Sequence, residues 1–141
     1  MAEFKLVIGD PKTGKCYQRV VKDAEAKIFL GKKIGEKVEG KGFGLEGYEF
    51  EITGGSDYCG FPMRRDVPGP SRKRILAGRS TGVRKVKKGE RVRKTVAGNT
   101  IHAKISQINL KIVKYGKAKL EETKEENKGE EQKEKNEGKT Q

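Results

Sequence analysis

The sequence contains few of the residues from which metal centres, disulfide frameworks and membrane anchors are built. Its 141 residues include two cysteines, Cys16 and Cys59, and a single histidine, His102. No Cys-x-x-Cys pair occurs, so we predict no metal site and expect reduced thiols in a cytoplasmic protein, with a single disulfide between the two cysteines as the alternative. No apolar run is long enough to span a membrane, and the strand-like start MAEFKLVIGD is unlike a signal peptide.

Catalytic motifs are also missing, although two glycine-rich strings match nucleotide-binding patterns. Gly9–Cys16 has Walker A spacing, but Cys16 replaces the hydroxyl that binds magnesium, and the YQRVV that follows favours a strand over a helix. Gly42–Gly47 spells G-x-G-x-x-G but precedes a predicted strand. His102 alternates with apolar neighbours, so its side chain is expected at the surface. We therefore predict no enzymatic activity, no cofactor and no small-molecule substrate.

Acidic residues are scarce in one part of the chain. Residues 1–60 carry ten Lys/Arg and ten Asp/Glu, whereas residues 61–98 carry thirteen Lys/Arg and two Asp/Glu, a net charge of +11 within a total of +13. Charges this concentrated repel one another, so an anionic nucleic-acid backbone is a better explanation than a merely solvated face. The candidate RNA-binding side chains are Arg64, Arg65, Arg72, Lys73, Arg74, Arg79, Arg84, Lys85, Lys87, Lys88, Arg91, Arg93 and Lys94.

The basic stretch also lacks aromatic residues, since none occurs between Phe61 and Tyr115. This absence argues against stacking platforms for single-stranded bases. Eight of the thirteen basic residues are arginines, which suit bidentate contacts with phosphate. The pattern therefore favours structured RNA recognised through its backbone and shape.

Alternating apolar residues and frequent glycines predict a small, mainly β, barrel-like domain of about six strands with one short helix. It spans residues 1–116, and the Lys/Glu-rich residues 117–141 are predicted to be a disordered tail, so that a chain ending at Gly116 should keep its stability. The first half is predicted to contain a hairpin of Phe4–Ile8 and Cys16–Val21, a helix over Ala24–Leu30 capped by Asp23, turns and loop over Gly31–Gly47, and a strand at Tyr48–Ile52. The second half is predicted to contain a strand at Arg74–Ala77, a second hairpin turning at Gly98-Asn99, and a strand at Ile108–Ile112 after a bulge or bend at Ser106-Gln107.

The charge balance changes at Gly54–Asp66, which is predicted to be a rigidly shaped loop or, alternatively, an ordinary connection between strands. Its shaping residues are Gly54, Gly55, Gly60, Phe61, Pro62 and Met63. Phe61 and Met63 are expected to point into the core. Arg64 and Arg65 are then expected to face outward, toward RNA.

Several strings together resemble the S6e family of archaeal and eukaryotic small-subunit ribosomal proteins: GGSD, GFPMRRDV, RKRILAGRSTGVR, GERVRK and INLKIVKYG, between Phe4 and Gly116. The resemblance implies a barrel-like domain embedded in small-subunit ribosomal RNA, beside neighbouring ribosomal proteins, with Gly60–Arg65 and the following basic residues facing the RNA. Eukaryotic members continue into a basic helix with phosphorylated serines, whereas residues 117–141 contain no serine, so the form looks archaeal and kinase regulation is not inferred. The alternative is a free-standing RNA-binding or regulatory module that works off the ribosome.

Overall fold

A curled five-stranded sheet, shaped like half a barrel, forms most of the structure, a computed structural model that describes residues 2–117 and Leu120. The elements in chain order are β1 (Glu3–Gly9), β2 (Cys16–Lys22), α1 (Asp23–Ala26), β3 (Lys37–Glu39), a 3-10 helix (Gly40–Phe43), β4 (Glu49–Asp57), β5 (Lys73–Ala77), β6 (Val92–Val96) and β7 (Ile105–Lys114). The large sheet has the order β2-β1-β7-β4-β3, and β5 and β6 form a separate two-stranded sheet. The predicted mainly β, barrel-like fold with one short helix is confirmed.

Three strands with alternating apolar residues, β1, β7 and β4, lie side by side in the middle of the sheet. β1 pairs antiparallel with β2, which confirms the first predicted hairpin, and pairs parallel with β7, where Leu6 lies opposite Ile108. β7 also pairs antiparallel with β4, where Ile52 lies opposite Leu110. β7 is therefore the centre of the sheet, with its apolar side chains on the concave face.

Aromatic rings fill that concave face. Phe29 and Phe43, which come from the irregular connection between β2 and β4, lie with their ring centroids 5.5 Å apart. Phe43 continues the series to Phe50 at 5.5 Å, and Phe29 makes an edge contact with Phe4 at 6.5 Å. All four side chains are fully buried, so the connection between β2 and β4 closes the open side of the half-barrel.

The predicted helix over Ala24–Leu30 is wrong in extent and in its cap. Helix α1 ends at Ala26, and Asp23 lies inside it with a positive φ of 48° and makes no capping hydrogen bond through its side chain. Turns follow α1, and in them Phe29 enters the aromatic core. Tertiary packing of Phe29 thus overrides the local helix propensity.

The second predicted hairpin, across Gly98-Asn99, is also wrong. β6 pairs with β5, with Leu76 opposite Arg93. Beyond β6 the chain crosses the turns after α1 instead, where the Ile101 amide donates to the Lys32 carbonyl at 2.8 Å and the Gly31 amide donates to the Ile101 carbonyl at 3.0 Å. Alternation alone does not specify which strand is the partner, and here the partner precedes β6 in the chain.

Two further details concern turns and bulges. The Gly31–Gly47 region was predicted to contain turns and loop, but it also includes β3 and the 3-10 helix. The bulge predicted at Ser106-Gln107 is confirmed: Ser56 pairs with Gln107 and Asp57 with Ile105, which leaves Ser106 as the extra residue.

Most of the predicted tail, residues 117–141, lies outside the described residues, so its disorder and the boundary at Gly116 stay predictions. Of its members the structure describes Lys117 and Leu120. The Leu120 side chain is partly buried against the hydrophobic core. Leu120 therefore also contacts the packed part of the protein.

We expect Leu120→Ala in the full chain to lower the free energy of unfolding by about 1 kcal/mol, since a half-buried leucine loses part of its apolar burial. A chain ending at Gly116 should lose at least as much, whereas one ending at Lys124 should melt like the full chain. Thermal and urea unfolding of the three variants would measure this. Equal stability of all three would instead support the original boundary at Gly116.

Candidate nucleic-acid interface

The basic arm, residues 73–96, consists of β5, β6 and the loop between them. Its strands are antiparallel, and five residue pairs run from Lys73 opposite Val96 to Ala77 opposite Val92. Opposite residues in an antiparallel pair share one face. Ile75 and Lys94 therefore lie on one face of the arm, the first face, and Arg74, Leu76 and Arg93 lie on the other, the second face.

The two faces of the arm differ in burial. Val96 on the first face is fully buried, and Ile75 is partly buried. On the second face Arg74 and Arg93 are exposed, and Leu76 between them is 55% exposed. The first face therefore packs on the body of the protein at Val96, while its Lys73 and Lys94 side chains and the second face remain exposed.

The loop of the arm, residues 78–91, consists of two tight turns with basic tips. Ser80 and Val83 exchange backbone hydrogen bonds of 3.1 and 2.9 Å, and the Val83 side chain is buried, which anchors the first turn. In the second turn the Glu90 carboxylate accepts a hydrogen bond from the Lys87 amide at 3.4 Å. The basic side chains of the loop are all exposed: Arg79, Arg84, Lys85, Lys87, Lys88 and Arg91.

Arg64 was predicted to face outward, and the structure places it inward instead. Its side chain is only 12% exposed. Nε and Nη2 donate to the two Asp66 carboxylate oxygens at 2.9 and 2.8 Å, and Nη1 donates to Ser80 Oγ at 2.7 Å and to the Thr81 carbonyl at 2.9 Å. Arg64 therefore ties the loop of the arm to the segment that follows β4, while Arg65 is exposed as predicted.

Arg72 likewise bonds within the protein. Its Nε donates to Oδ2 of Asp57 at 2.6 Å, and its guanidinium carbon lies 4.9 Å from the ring centroids of both Tyr58 and Phe61. Asp57, whose side chain is 1% exposed, also accepts hydrogen bonds from the Cys59 and Phe61 amides at 3.0 Å each. Asp57 and Arg72 thus fix the start of the arm against the Asp57 loop, residues 57–63.

Thirteen basic side chains were predicted to contact RNA, and the structure divides them into two groups. Arg64 and Arg72 are paired with Asp66 and Asp57. The remaining eleven of the thirteen form no salt bridge within residues 2–117, and all are exposed: Arg65, Lys73, Arg74, Arg79, Arg84, Lys85, Lys87, Lys88, Arg91, Arg93 and Lys94. Ten of the eleven, all but Arg65, lie in the basic arm, so an excess of positive charge without internal partners covers it.

The Asp57 carboxyl makes stability depend on pH. Burial raises its pKa, but the hydrogen bonds from Arg72 and from the Phe61 and Cys59 amides outweigh burial and hold the pKa below its ordinary value of 3.8. A carboxyl with a lowered pKa stabilises the fold above its unfolded pKa, and this contribution is lost as pH falls through the folded value.

We expect Asp57→Asn to be less stable than the wild type at pH 7, because it keeps an acceptor for the amides but loses the charge that pairs with Arg72. The difference should narrow below a pH of about 4 as the wild-type carboxyl protonates. Urea unfolding across that range measures both chains, and Glu46→Gln at an exposed position is the control. If the difference in free energy of unfolding between the wild type and Asp57→Asn stayed constant down to strongly acidic pH, the result would contradict the role of the Asp57 charge.

The remaining loop-shaping residues lie in the Asp57 loop. Gly60 has a φ of 85°, a conformation that L side chains rarely adopt, and Met63 is 2% exposed. The Ala97 amide donates to the Pro62 carbonyl at 2.9 Å. Phe61, predicted to be a core residue, is only partly buried. Its ring lies against the Arg72 guanidinium.

Gly54 and Gly55 were predicted to shape the loop, but both lie inside β4, opposite Asn109 and Ile108. A Cβ at Gly55 would lie 2.3 Å from the Gln107 carbonyl oxygen and 3.1 Å from the Met63 sulfur, whereas nothing lies within 4 Å of a Cβ at Gly54. Gly55 therefore allows β4 and β7 to approach closely, a tertiary requirement that a Gly-Gly pair does not reveal.

The glycine-rich strings that resembled nucleotide sites have ordinary structural roles. Gly9–Cys16 closes the β1–β2 hairpin, where Asp10 accepts hydrogen bonds from the Lys12 amide and the Thr13 hydroxyl. Gly42–Gly47 runs from the 3-10 helix into a turn. Cys16 and Cys59 are exposed free thiols, and His102, predicted at the surface, is half-buried with its Nδ1 accepting from the Lys104 amide.

The part of the chain that the structure describes has neither a metal-binding cluster nor a membrane-spanning helix. No group of three or more His, Cys, Asp or Glu side chains there could hold a metal ion. None of the helices in that part is long and apolar enough to cross a membrane.

Sequence reasoning missed the residues that hold the arm in place. Asp57, Asp66, Ser80 and Thr81 accept the hydrogen bonds of the two paired arginines. One signal was available in the sequence: an acidic residue close to an arginine of the basic stretch is a candidate for an internal salt bridge. Arg64 and Asp66 are two residues apart, but fifteen residues separate Asp57 from Arg72.

Known proteins are similar to this chain over most of its length. The family model for ribosomal protein S6e matches residues 4–125. Archaeal relatives called small ribosomal subunit protein eS6 include that of Methanocaldococcus jannaschii, 49% identical over 86% of this chain and 91% of the relative. That of Archaeoglobus fulgidus is 50% identical over 85% and 94%, and that of Methanoculleus marisnigri is 44% identical over 86% and 92%.

The fold is thus a curled β half-barrel with a highly cationic two-stranded ribbon, a charge pattern that suits an anionic partner. The chain belongs to the ribosomal protein S6e family, as its sequence strings predicted.

Proposed function

We propose that the protein is a structural constituent of the small ribosomal subunit in the cytoplasm and that it binds ribosomal RNA through the basic arm. Family membership supports incorporation into the small subunit, since the relatives carry the name of a small-subunit protein. The observation that carries the RNA contact is the set of eleven exposed basic side chains, which form no salt bridge within the described residues. Cations left unpaired in this number are stabilised by phosphates.

The geometry of the arm suits the backbone of folded RNA. A groove of about 710 Å³ separates the arm from the Asp57 loop, and its charged lining residues are Arg84, Lys85 and Lys94. The exposed second face adds Arg74 and Arg93 on the adjacent surface. Cations on two sides of a narrow ribbon can contact phosphates of neighbouring strands, which is recognition by shape.

The two paired arginines have a different role in this proposal. Arg64 and Arg72 orient the arm instead of contacting phosphate, since their guanidinium groups are bonded to Asp66 and Asp57. A rigid arm loses less conformational entropy when it binds, so these internal pairs raise RNA affinity indirectly. The function requires no catalytic group, and neighbouring ribosomal proteins are the expected protein partners.

Sedimentation tests the assembly. The tagged full chain should travel with the small subunit through a gradient and stay bound after a high-salt wash. A chain in which the eleven exposed basic residues are unchanged but Asp57 is replaced by Ala should be washed off at lower salt, because its arm is less well oriented. Release of the wild-type chain by moderate salt would contradict a structural role and would favour a free-standing RNA-binding module.

A further inference from the structure

Tyr58 is the feature that the proposed function leaves unexplained. It is the most exposed of the large hydrophobic side chains in the described residues, with 60% of its surface accessible. It precedes the aromatic-free basic stretch in sequence, so sequence analysis did not connect it with the basic residues. In the structure it lies against Arg72, directly before the arm.

The backbone that carries the exposed Tyr58 ring is held in place. The Tyr58 amide donates to the Lys104 carbonyl at 3.0 Å, which ties the Asp57 loop to the turn before β7. The adjacent Asp57 carboxylate fixes the backbone on the other side through the Cys59 and Phe61 amides. An aromatic ring that is ordered before binding loses little entropy when a flat ligand stacks on it.

Cations surround the ring. The Arg72 guanidinium carbon lies 4.9 Å from the ring centroid, and the Lys104 ammonium lies 6.0 Å from it. Exposed aromatic rings next to basic side chains are the arrangement with which proteins stack unpaired bases while holding the neighbouring phosphates.

A groove beside the ring provides room for a base. Its volume is about 510 Å³, and it is lined by Glu3, Tyr58, Ala103, Lys104, Ile105 and Ser106. Glu3 carries a negative charge, partly balanced by Lys22 at 3.7 Å, so a phosphate is favoured at the Lys104 end. The Glu3 carboxylate can accept a hydrogen bond from the exocyclic amino group of a base.

We propose that Tyr58 stacks on an unpaired base of the bound RNA, with Lys104 on the adjacent phosphate. This inference rests on the proposed function, because the base belongs to the same RNA that the arm binds. It adds a second mode of recognition, since the arm contacts the backbone of folded RNA and Tyr58 selects a position where a nucleotide is unstacked. The absence of aromatic residues within the basic stretch therefore does not exclude stacking, because the fold supplies Tyr58 from outside it.

The test uses the full chain with two RNA probes: an unstructured single strand of about ten nucleotides and a duplex of about 16 base pairs. Tyr58→Ala should weaken binding of the single strand roughly 5- to 150-fold, the effect of losing one stacked base. Tyr58→Phe, the matched control, should bind like the wild type, because it keeps the ring. Duplex affinity should be unchanged in both variants.

Lys104→Ala tests the proposed phosphate contact separately. Loss of one phosphate contact with a single strand should flatten the dependence of log affinity on log salt by about 0.7. Thermal melts should show both Ala variants folded, as expected for exposed positions.

The outcomes separate this inference from the proposed function. If Tyr58→Ala binds the single strand like the wild type while reversing charges on the arm weakens duplex binding, the stacking site is wrong and the proposed function stands. If Tyr58→Ala weakens both probes equally, the ring shapes the loop and does not stack. A cross-link from Tyr58 to a neighbouring protein in intact small subunits would also overturn the inference.

Discussion

Gly55→Ala is expected to destabilise the protein by about 3 kcal/mol, near the upper end of what overpacking a core costs. The added Cβ would lie 2.3 Å from the Gln107 carbonyl oxygen, which is backbone, so β4 and β7 must move apart. Those two strands form the most extended pairing in the sheet. Urea unfolding followed by far-ultraviolet circular dichroism would measure the loss.

Gly54→Ala is the matched control, one residue away in the same strand. Nothing lies within 4 Å of its added Cβ, so we expect the free energy of unfolding to change by no more than about 0.5 kcal/mol. Replacing glycine also reduces the entropy of the unfolded chain, which acts in the stabilising direction. Equal effects of the two substitutions would show that general strand propensity, and not the contact with Gln107, explains the Gly-Gly pair.

Reversing two charges on the arm, Arg91→Glu with Arg93→Glu, is expected to weaken binding of folded ribosomal RNA by at least about 100-fold. Each lost charged hydrogen bond to phosphate contributes about 1.5–3 kcal/mol, and the introduced carboxylates repel the backbone. The slope of log affinity against log salt should flatten by about 1.4 to 1.8 for two lost contacts. Filter binding at several salt concentrations measures both quantities.

The control reverses two exposed lysines outside the arm, Lys5 on β1 and Lys41 in the 3-10 helix. It changes the net charge by the same amount, so a general electrostatic attraction would respond equally to both pairs. We expect less than a threefold effect from the control if the arm is the contact site. Similar losses from the two pairs would indicate delocalised attraction without a defined interface.

Local patterns in the sequence predicted the elements that have local causes. Alternation located β1, β2, the start of β4 and β5, and the break in alternation between Ile105 and Ile108 located the bulge. These features depend on which face of a strand is buried, which neighbouring residues reveal. The basic arm could be found in the same way, because its charge is concentrated in one continuous stretch.

The features that sequence could not predict depend on contacts between distant residues. Helix α1 ends at Ala26 because Phe29 packs on Phe4 and Phe43. The partner of β6 is β5 and not the following segment, and no local pattern distinguishes these two pairings. Pattern reasoning identifies strands more reliably than it identifies their partners.

The same limit applies to the interface. Composition identified thirteen basic residues as equivalent candidates, but the structure pairs Arg64 and Arg72 with acidic residues and leaves the other eleven exposed. The stacking proposal for Tyr58 depends on the same kind of long-range contact. Arg72, fourteen positions along the chain, brings the ring beside the arm.

Cross-linking of RNA to protein in intact small subunits tests the central claim most directly, because it locates the contacts without any substitution. Peptides that carry a linked nucleotide should come mainly from the basic arm, with the loop residues Arg79–Arg91 the most frequent. The turn of the β1–β2 hairpin, Asp10–Lys15, contains two lysines and serves as the internal comparison. Cross-links concentrated at that turn, with the arm unmodified, would contradict the assignment of the arm as the RNA-binding element.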